Sequence, residues 1–173
     1  ERPTPMIRAR TLDRSGGPSG LWLKDESRFP TCSLKDRSVP ITIVKALEHG
    51  RESVGIVSSG NASASLAAYA ARAGLRAIVF VKEGASAAKL YKTLIYGPLA
   101  VQVQGELGPA EALFDRAREE FGFFDCDGLI NPYRIEGKKT LAFEVARDLR
   151  WRAPAAVLLP TGYGNGVVAA WKG

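Results

Sequence analysis

Short apolar segments alternate along this chain with longer segments in which apolar residues recur at helical spacing. Strands are predicted at 20–25, 53–58, 76–81, 99–105, 123–126 and 155–160. Helices are predicted over 34–47, 62–74, 85–97, 109–122 and 136–149, and a further helix is predicted to start close to the end of the chain. Apolar strands of this kind are typical of a parallel sheet covered on both faces. The order of the elements therefore predicts an α/β fold with a parallel sheet.

Composition and charge limit the classes of protein that fit this pattern. The 173 residues are 46% hydrophobic and 24% charged, which is an ordinary globular mixture. The net charge is +6, but Lys and Arg are scattered over the predicted helices without a basic arm. A nucleic-acid-binding module is therefore the weakest alternative. No signal peptide is recognised, and the apolar runs are too short to cross a membrane.

Cysteine and histidine usage excludes further chemistry. Cys32 and Cys126 lie far apart and form no CxxC pair, so neither a zinc site nor a disulfide framework is predicted, and a cytoplasmic protein is expected. The single histidine, His49, falls at the end of the helix predicted over 34–47. One histidine argues against Ser-His-Asp catalysis and against a multi-histidine metal site, so no metal is expected.

Two loops that follow predicted strands have the composition of anion sites, which open α/β sheets place at strand ends. In SSGN, residues 58–61, backbone N–H groups at a helix start and two hydroxyls can bind an anion, although a serine cap and a turn would look the same. In TGYGNG, residues 161–166, three alternate glycines suit a cradle of backbone amides for phosphate. The loop has neither the P-loop pattern nor the dinucleotide-binding spacing.

Two further segments supply cations. NPYRIEGKKT, residues 131–140, carries Arg134, Lys138 and Lys139, which either bind an anionic substrate or are solvated charges at a helix start. PTCSLKDRS, residues 30–38, places Lys35 at a helix start, where the helix dipole disfavours a cation.

An amine in that position can be tuned for Schiff-base formation, although most lysines are plain surface residues. Here the lysine is combined with the anion-binding loop SSGN and the glycine cradle TGYGNG on one α/β scaffold. A reactive lysine with two anion-binding loops matches what an aldehyde cofactor with a phosphate requires, namely pyridoxal 5′-phosphate.

The same segments resemble the threonine synthases, pyridoxal-phosphate enzymes of the tryptophan-synthase-β, or fold type II, group. The motifs are RPTPM (2–6), KDES (24–27), PTCSLKDR (30–37), SSGNASASLAAYAARAG (58–74), NPYRIEGKKT (131–140) and LPTGYGNGVVAAWKG (159–173). They cover essentially the whole chain in order. The resemblance implies a parallel-sheet, three-layer architecture, with a small α/β domain over 51–133 inserted into a larger one formed by 1–50 and 134–173.

The resemblance also implies a role for each site residue. Lys35 would form the internal aldimine and shuttle protons, and Asn61 would hydrogen-bond the ring oxygen of the cofactor. The α-carboxylate of the substrate would lie in a cradle of Ser58, Ser59 and Gly60. The cofactor phosphate would be held by the loop Gly162, Tyr163, Gly164, Asn165 and Gly166. The substrate phosphate would be bound by Arg134, with Lys24 and Lys138 as further candidates.

The family reaction converts O-phospho-L-homoserine and water to L-threonine and phosphate, so the resemblance implies a lyase of threonine biosynthesis that acts as a homodimer when full length. Alternatives are another fold type II enzyme, such as a serine/threonine dehydratase or a β-replacement synthase, and a non-catalytic phosphate-ligand-binding relative. Both termini look cut, and the partner of the pyridine nitrogen would lie beyond Gly173. We therefore expect this stretch alone to be an inactive N-terminal portion.

The chain departs from the family pattern at two places near the cofactor. Where the family commonly has PTGSFKDRG, this chain has Cys32, Leu34 and Ser38. Where the family has a GNAGN-like loop, this chain reads GYGNG. A backbone nest survives such changes if its path is kept, so phosphate binding is still expected, whereas Cys32 beside Lys35 puts the choice of substrate in question.

Overall fold

Four parallel strands form the main sheet of the structure, a computed structural model that describes residues 3–11, 20–128 and 130–173. An antiparallel pair, β1 (Met6–Arg8) and β2 (Trp22–Lys24), precedes it. The sheet contains β3 (Ser53–Val57), β4 (Arg76–Lys82), β5 (Leu99–Val103) and β6 (Phe124–Asp125) in the order β5-β4-β3-β6. Val57 pairs with Phe80, and Phe80 with Val101, so these three strands run in register and end at one edge.

Seven helices connect or follow these strands in the described part of the chain. They are α1 (Lys35–Glu48), α2 (Asn61–Ala73), α3 (Ala87–Leu94), α4 (Leu107–Phe121), α5 (Tyr133–Lys138), α6 (Thr140–Asp148) and α7 (Asn165–Lys172). A 3-10 turn covers Glu26–Arg28. Gly74 ends α2 and Gly122 ends α4, both with positive φ, the conformation in which glycine commonly ends a helix.

The sheet is covered on both faces, which gives the three layers implied by the sequence. On one face α1 and α2 pack against β3 and β4 around a large cluster of buried aliphatic side chains. On the other face α4 packs through Phe114 against Phe80 and Phe123, with the Phe80 and Phe114 ring centroids 5.5 Å apart. A Cβ on Gly55 would lie 2.4 Å from the ring of Phe123, so this central strand position needs glycine.

Two predicted elements differ in the structure. The strand predicted at 155–160 does not form: no described strand pairs with it, and Val157 and Leu158 are 58% and 88% exposed. An apolar segment forms a β-strand only when a neighbouring strand supplies hydrogen-bond partners, so its composition alone does not determine whether a strand forms. The helix predicted over 136–149 is two helices, α5 and α6, separated at Lys139. The division into a domain of 51–133 and a domain of 1–50 with 134–173 stays a prediction.

A buried ion-pair network joins the start of the chain to α1 and α6. The Arg37 side chain, 2% exposed, donates to Glu26 at 2.6 and 2.8 Å and to Glu144 at 2.7 and 2.9 Å. Lys24 lies 2.7 Å from Glu144 and donates to the Thr4 carbonyl oxygen at 2.6 Å. The network fixes the N-terminal strands against the helix that begins with Lys35.

Helix α5 lies very close to α1 because residue 137 is a glycine. A Cβ on Gly137 would lie 2.3 Å from the Arg37 carbonyl oxygen and 2.7 Å from the Ser38 Cα. Both are backbone atoms of a helix, so neither can move without shifting α1. The close approach brings the charged side chains of α5 next to Lys35.

We expect Gly137→Ala to lower the free energy of unfolding by about 2–3 kcal/mol, since the added methyl group overpacks a helix contact. Urea unfolding of the intact natural protein measures this. Gly108→Ala in α4 is the matched control, because nothing lies within 4 Å of its Cβ position. That control should be neutral or stabilising by up to about 1 kcal/mol. Equal stability of the two variants would show that the α1–α5 contact is looser than described.

Among the described residues, no helix is long and apolar enough to span a bilayer, and no group of three or more metal-ligating side chains is found.

Candidate functional site

Lys35 is the first residue of α1, as the sequence predicts. Its backbone N–H donates to the Ser33 Oγ at 3.2 Å, so the serine hydrogen-bonds a backbone group at the helix start. Burial lowers the pKa of the Lys35 ammonium, and the positive charge of Arg134 lowers it further. Both causes favour the neutral amine, which is the form that attacks an aldehyde.

Asp36 anchors the helix start that carries Lys35. This fully buried carboxylate accepts hydrogen bonds from the Thr31 N–H at 2.7 Å, the Thr31 hydroxyl at 2.6 Å and the Ser65 hydroxyl at 2.6 Å. It therefore ties the loop before α1 to α2. No sequence pattern separates Asp36 from other acidic residues in a first helical turn.

Cys32 adopts a left-handed backbone conformation with φ 54°. This region favours glycine, which is the residue that the threonine synthase pattern has at this position. Cys32 is therefore strained in a backbone conformation that a glycine would adopt without cost. Cys32 is exposed, while Cys126 is buried, with its thiol pKa raised by burial to about 12.

Two cations of NPYRIEGKKT are buried beside Lys35. Arg134 is 2% exposed and donates from Nη1 to the Cys126 carbonyl oxygen at 3.2 Å, but its Nε has no hydrogen-bond partner. Lys138 is 1% exposed and donates to Asn165 Oδ1 at 2.8 Å. Burial lowers the pKa of Lys138 to about 7, with further contributions from the charges of Arg134 and Lys35. Three mutually repelling cations in one interior region suit an anion.

The SSGN loop and the glycine loop meet at the carboxyl ends of the strands. One cavity of about 580 Å³ is lined by residues of both loops, namely Ser58, Ser59, Gly60 and Tyr163. The Ser58 Oγ accepts from the Gly60 N–H at 3.3 Å, and Gly60 is the N-cap of α2. A set of acidic residues that sequence reasoning missed lines the same cavity: Glu111, Asp115, Asp125 and Asp127. The one sequence signal for the last two is their position at and just after the end of β6.

The remaining predicted site residues are more scattered. Asn61 is exposed as the first residue of α2, and its Oδ1 accepts from the Lys92 ammonium at 3.3 Å. Lys24 lies in the ion-pair network with Glu144 and Asp148, so its charge is already compensated by carboxylates. The structure does not group Lys24 with Arg134 and Lys138.

The glycine loop ends in a helix start suited to phosphate. Gly164 has φ 83° and is the N-cap of α7, whose first N–H groups lack partners within the helix. Gly162 and Gly166 leave open space at their Cβ positions, which permits close approach of a ligand. The N–H groups at this helix start can bind a phosphate and the Lys35 amine can bond an aldehyde, so the residues present fit a cofactor that carries both groups.

Curated relatives that match the chain include threonine synthases. The chain is 40% identical to "Threonine synthase" of Methanocaldococcus jannaschii, with all of this chain and 43% of that protein aligned. It is 38% identical to "Threonine synthase" of Mycobacterium bovis, again over all of this chain and 48% of the relative. The chain spans about half the length of the curated relatives it matches. The resemblance found in the sequence is confirmed.

Solved structures show the same fold at lower sequence identity. Maize serine racemase superimposes with a TM-score of 0.88 at 22% identity, over 97% of this chain and 50% of that one. Escherichia coli diaminopropionate ammonia lyase in its apo form gives 0.89 at 18% identity, over 99% and 55%. These likenesses confirm the fold type II architecture. A protein-family model also matches the chain, and its name contains pyridoxal phosphate, the cofactor expected from the sequence. The model of that family, "Pyridoxal-phosphate dependent enzyme", matches residues 1–173, and the chain belongs to it.

Proposed function

We propose that the protein is a threonine-synthase-like lyase, which converts O-phospho-L-homoserine and water to L-threonine and phosphate. The observation that carries this proposal is Arg134, a buried guanidinium whose Nε has no partner. An unpaired donor on a buried cation is costly, and a phosphorylated substrate would supply the missing acceptor. The names of the relatives support the same reaction.

Different residues bind the different parts of the substrate and of the cofactor. Ser58, Ser59 and Gly60 receive the α-carboxylate of the substrate at the start of α2, and Arg134 binds the phosphate at its other end. The loop of residues 162–166 holds the cofactor phosphate, and Asn61 contacts the ring oxygen of the cofactor. Lys24 completes the ion pairs of Glu144 and Asp148 in the structure, so we assign the substrate phosphate to Arg134 first.

Lys35 carries the proton transfers. Pyridoxal phosphate, when bound, stabilises negative charge on the carbon atoms next to the amino group. The neutral amine of Lys35, favoured by its lowered pKa, removes one proton from the α-carbon and one from the β-carbon. Its ammonium then delivers one proton to the γ-carbon that phosphate has left and one to the α-carbon. Phosphate leaves from the γ-carbon and water adds at the β-carbon, so one amine acts at several steps.

Two other functions remain as alternatives. A serine/threonine dehydratase or a β-replacement synthase would share the lysine, the SSGN loop and the glycine loop, but its substrate carries no phosphate that needs Arg134. A non-catalytic relative would bind a phosphorylated ligand without a covalent bond at Lys35.

We further propose that the protein is cytoplasmic and homodimeric at full length. Sedimentation of the intact protein tests the homodimer.

Substrate comparison in the intact natural protein separates these functions. We expect kcat/KM for phosphate release from O-phosphohomoserine, with threonine formed in equal amount, to exceed that for deamination of serine or threonine by at least about 100-fold. Arg134→Met should raise KM for O-phosphohomoserine about 10–100-fold, the effect of losing a charge-assisted hydrogen bond. Exposed Arg72 on α2 provides the control Arg72→Met. Deamination that equals or exceeds phosphate release would contradict the proposal.

A further inference from the structure

Lys138 makes its buried hydrogen bond to the residue at which the glycine loop becomes a helix. It is the last residue of α5 and is 1% exposed. Its ammonium donates to Oδ1 of Asn165, the first residue of α7, at 2.8 Å. A side chain from another helix thus reaches the end of the loop that the proposed function assigns to the cofactor phosphate.

The amide of Asn165 is held on both sides. The ammonium of Lys138 has only donors, so the oxygen of the amide faces it. A backbone carbonyl is only an acceptor, and Asn165 Nδ2 donates to the Gly128 carbonyl oxygen at 3.3 Å. The side chain of Asn165 therefore bridges α5 to the turn after β6, and each contact fixes the orientation that the other requires.

Among the described residues, two polar side-chain contacts join α5 to α7, an inner one that is buried and an outer one that is exposed. The inner contact is Lys138–Asn165. The outer contact is the ion pair of Glu136 with Lys172, whose side chains are 36% and 50% exposed. An exposed pair of this kind contributes little, whereas a buried charge-assisted hydrogen bond fixes geometry. Only the inner contact touches the glycine loop.

The charge environment of Lys138 agrees with a role as a donor. Burial lowers the pKa of its ammonium to about 7, and the neighbouring charges of Arg134 and Lys35 act in the same direction. A neutral amine and an ammonium both donate to an amide oxygen, so the contact with Asn165 survives in either state. An anion bound to the loop would favour the charged form.

We propose that Lys138 is a positioning residue that acts through Asn165, holding the glycine loop at the start of α7 in the conformation that binds the phosphate of pyridoxal phosphate. This rests on the proposed role of residues 162–166. It differs from direct binding of the substrate phosphate, for which Lys138 is also a candidate by resemblance.

Cofactor affinity with and without the phosphate tests the inference. Titration of the intact natural protein with pyridoxal phosphate and with pyridoxal, followed by visible absorbance, gives both dissociation constants. We expect Lys138→Met to weaken pyridoxal phosphate binding about 10-fold or more, the effect of losing one charge-assisted hydrogen bond, and to change pyridoxal binding less than about 2-fold. Lys172→Met, which removes the outer contact, should change neither.

A double-mutant cycle identifies the route of the effect. If Lys138 acts through Asn165, then Asn165→Ala alone weakens pyridoxal phosphate binding by a similar factor, and the double variant is no worse than either single one. Thermal unfolding of each variant shows whether it is folded, and Asn165→Ala tests the loop if Lys138→Met does not fold. Additive losses, or an equal loss for pyridoxal, would overturn the inference. Failure of the wild type to bind pyridoxal phosphate at Lys35 would instead contradict the proposed function.

Discussion

Lys35→Ala is expected to abolish covalent binding of pyridoxal phosphate and to lower turnover of O-phosphohomoserine by at least about 10³-fold. The variant loses the amine that bonds the aldehyde and the group that moves protons at two carbon atoms, and each role is worth orders of magnitude. Burial and the positive charge of Arg134 lower the pKa of Lys35, which favours the neutral amine that both roles require.

The measurement is the visible absorbance of the lysine-bound cofactor in the intact natural protein, together with phosphate release. Lys89→Ala, at an exposed position of α3, is the matched control and should keep both signals. Residual noncovalent binding through the glycine loop is compatible with our account. If Lys35→Ala keeps the absorbance band of the bound lysine, Lys35 is the wrong residue.

The largest loss of stability is expected for Arg37→Met, at about 3–5 kcal/mol. Removing one partner of a buried ion pair leaves the other charges unpaired, and here both Glu26 and Glu144 lose their guanidinium partner. Burial alone would raise the pKa of Glu144, but the hydrogen bonds from Arg37 and Lys24 outweigh it and lower the pKa to about 2. The charged form of Glu144 is thus strongly stabilised in the folded protein.

Urea unfolding at several pH values measures this effect. Because the pKa of Glu144 falls on folding from an ordinary 4.5 to about 2, its contribution is present above pH 4.5 and is lost as the pH drops toward 2. The difference between wild type and Arg37→Met should therefore narrow over that range. Arg28→Met, at a side chain 68% exposed and paired with Asp25, is the control and should cost less than about 1 kcal/mol. A constant difference from pH 7 to pH 3 would contradict the assignment to ionised carboxylates.

The sequence predicts the parallel sheet and its helices well because each element carries its own signal. The helices predicted over 62–74 and 109–122 end at Gly74 and Gly122, and His49 lies at the C-cap of α1 as predicted. The segment 155–160 shows the limit of such reasoning. Its composition is that of a buried strand, yet a strand forms only where a neighbour supplies hydrogen bonds, and composition does not report neighbours.

The candidate site is predictable to a similar extent. Motif order identifies Lys35, SSGN and the glycine loop, since each is a local pattern at a helix start. The close contact at Gly137 and the bridge from Lys138 through Asn165 to Gly128 are set by tertiary packing, which no local pattern reports. The ion pairs of Lys24 likewise depend on Glu144 and Asp148, more than a hundred residues away along the chain.

The central claim is that Lys35 bonds the cofactor, and borohydride reduction followed by peptide mapping tests it most directly. Reduction fixes pyridoxal phosphate to whichever amine it has bonded, and mass spectrometry of the digested intact protein identifies that residue. Our account predicts a pyridoxyl group on Lys35 in the wild type and on no lysine in Lys35→Ala. A pyridoxyl group on Lys138 or another lysine, or no label in a wild-type protein saturated with the cofactor, would contradict it.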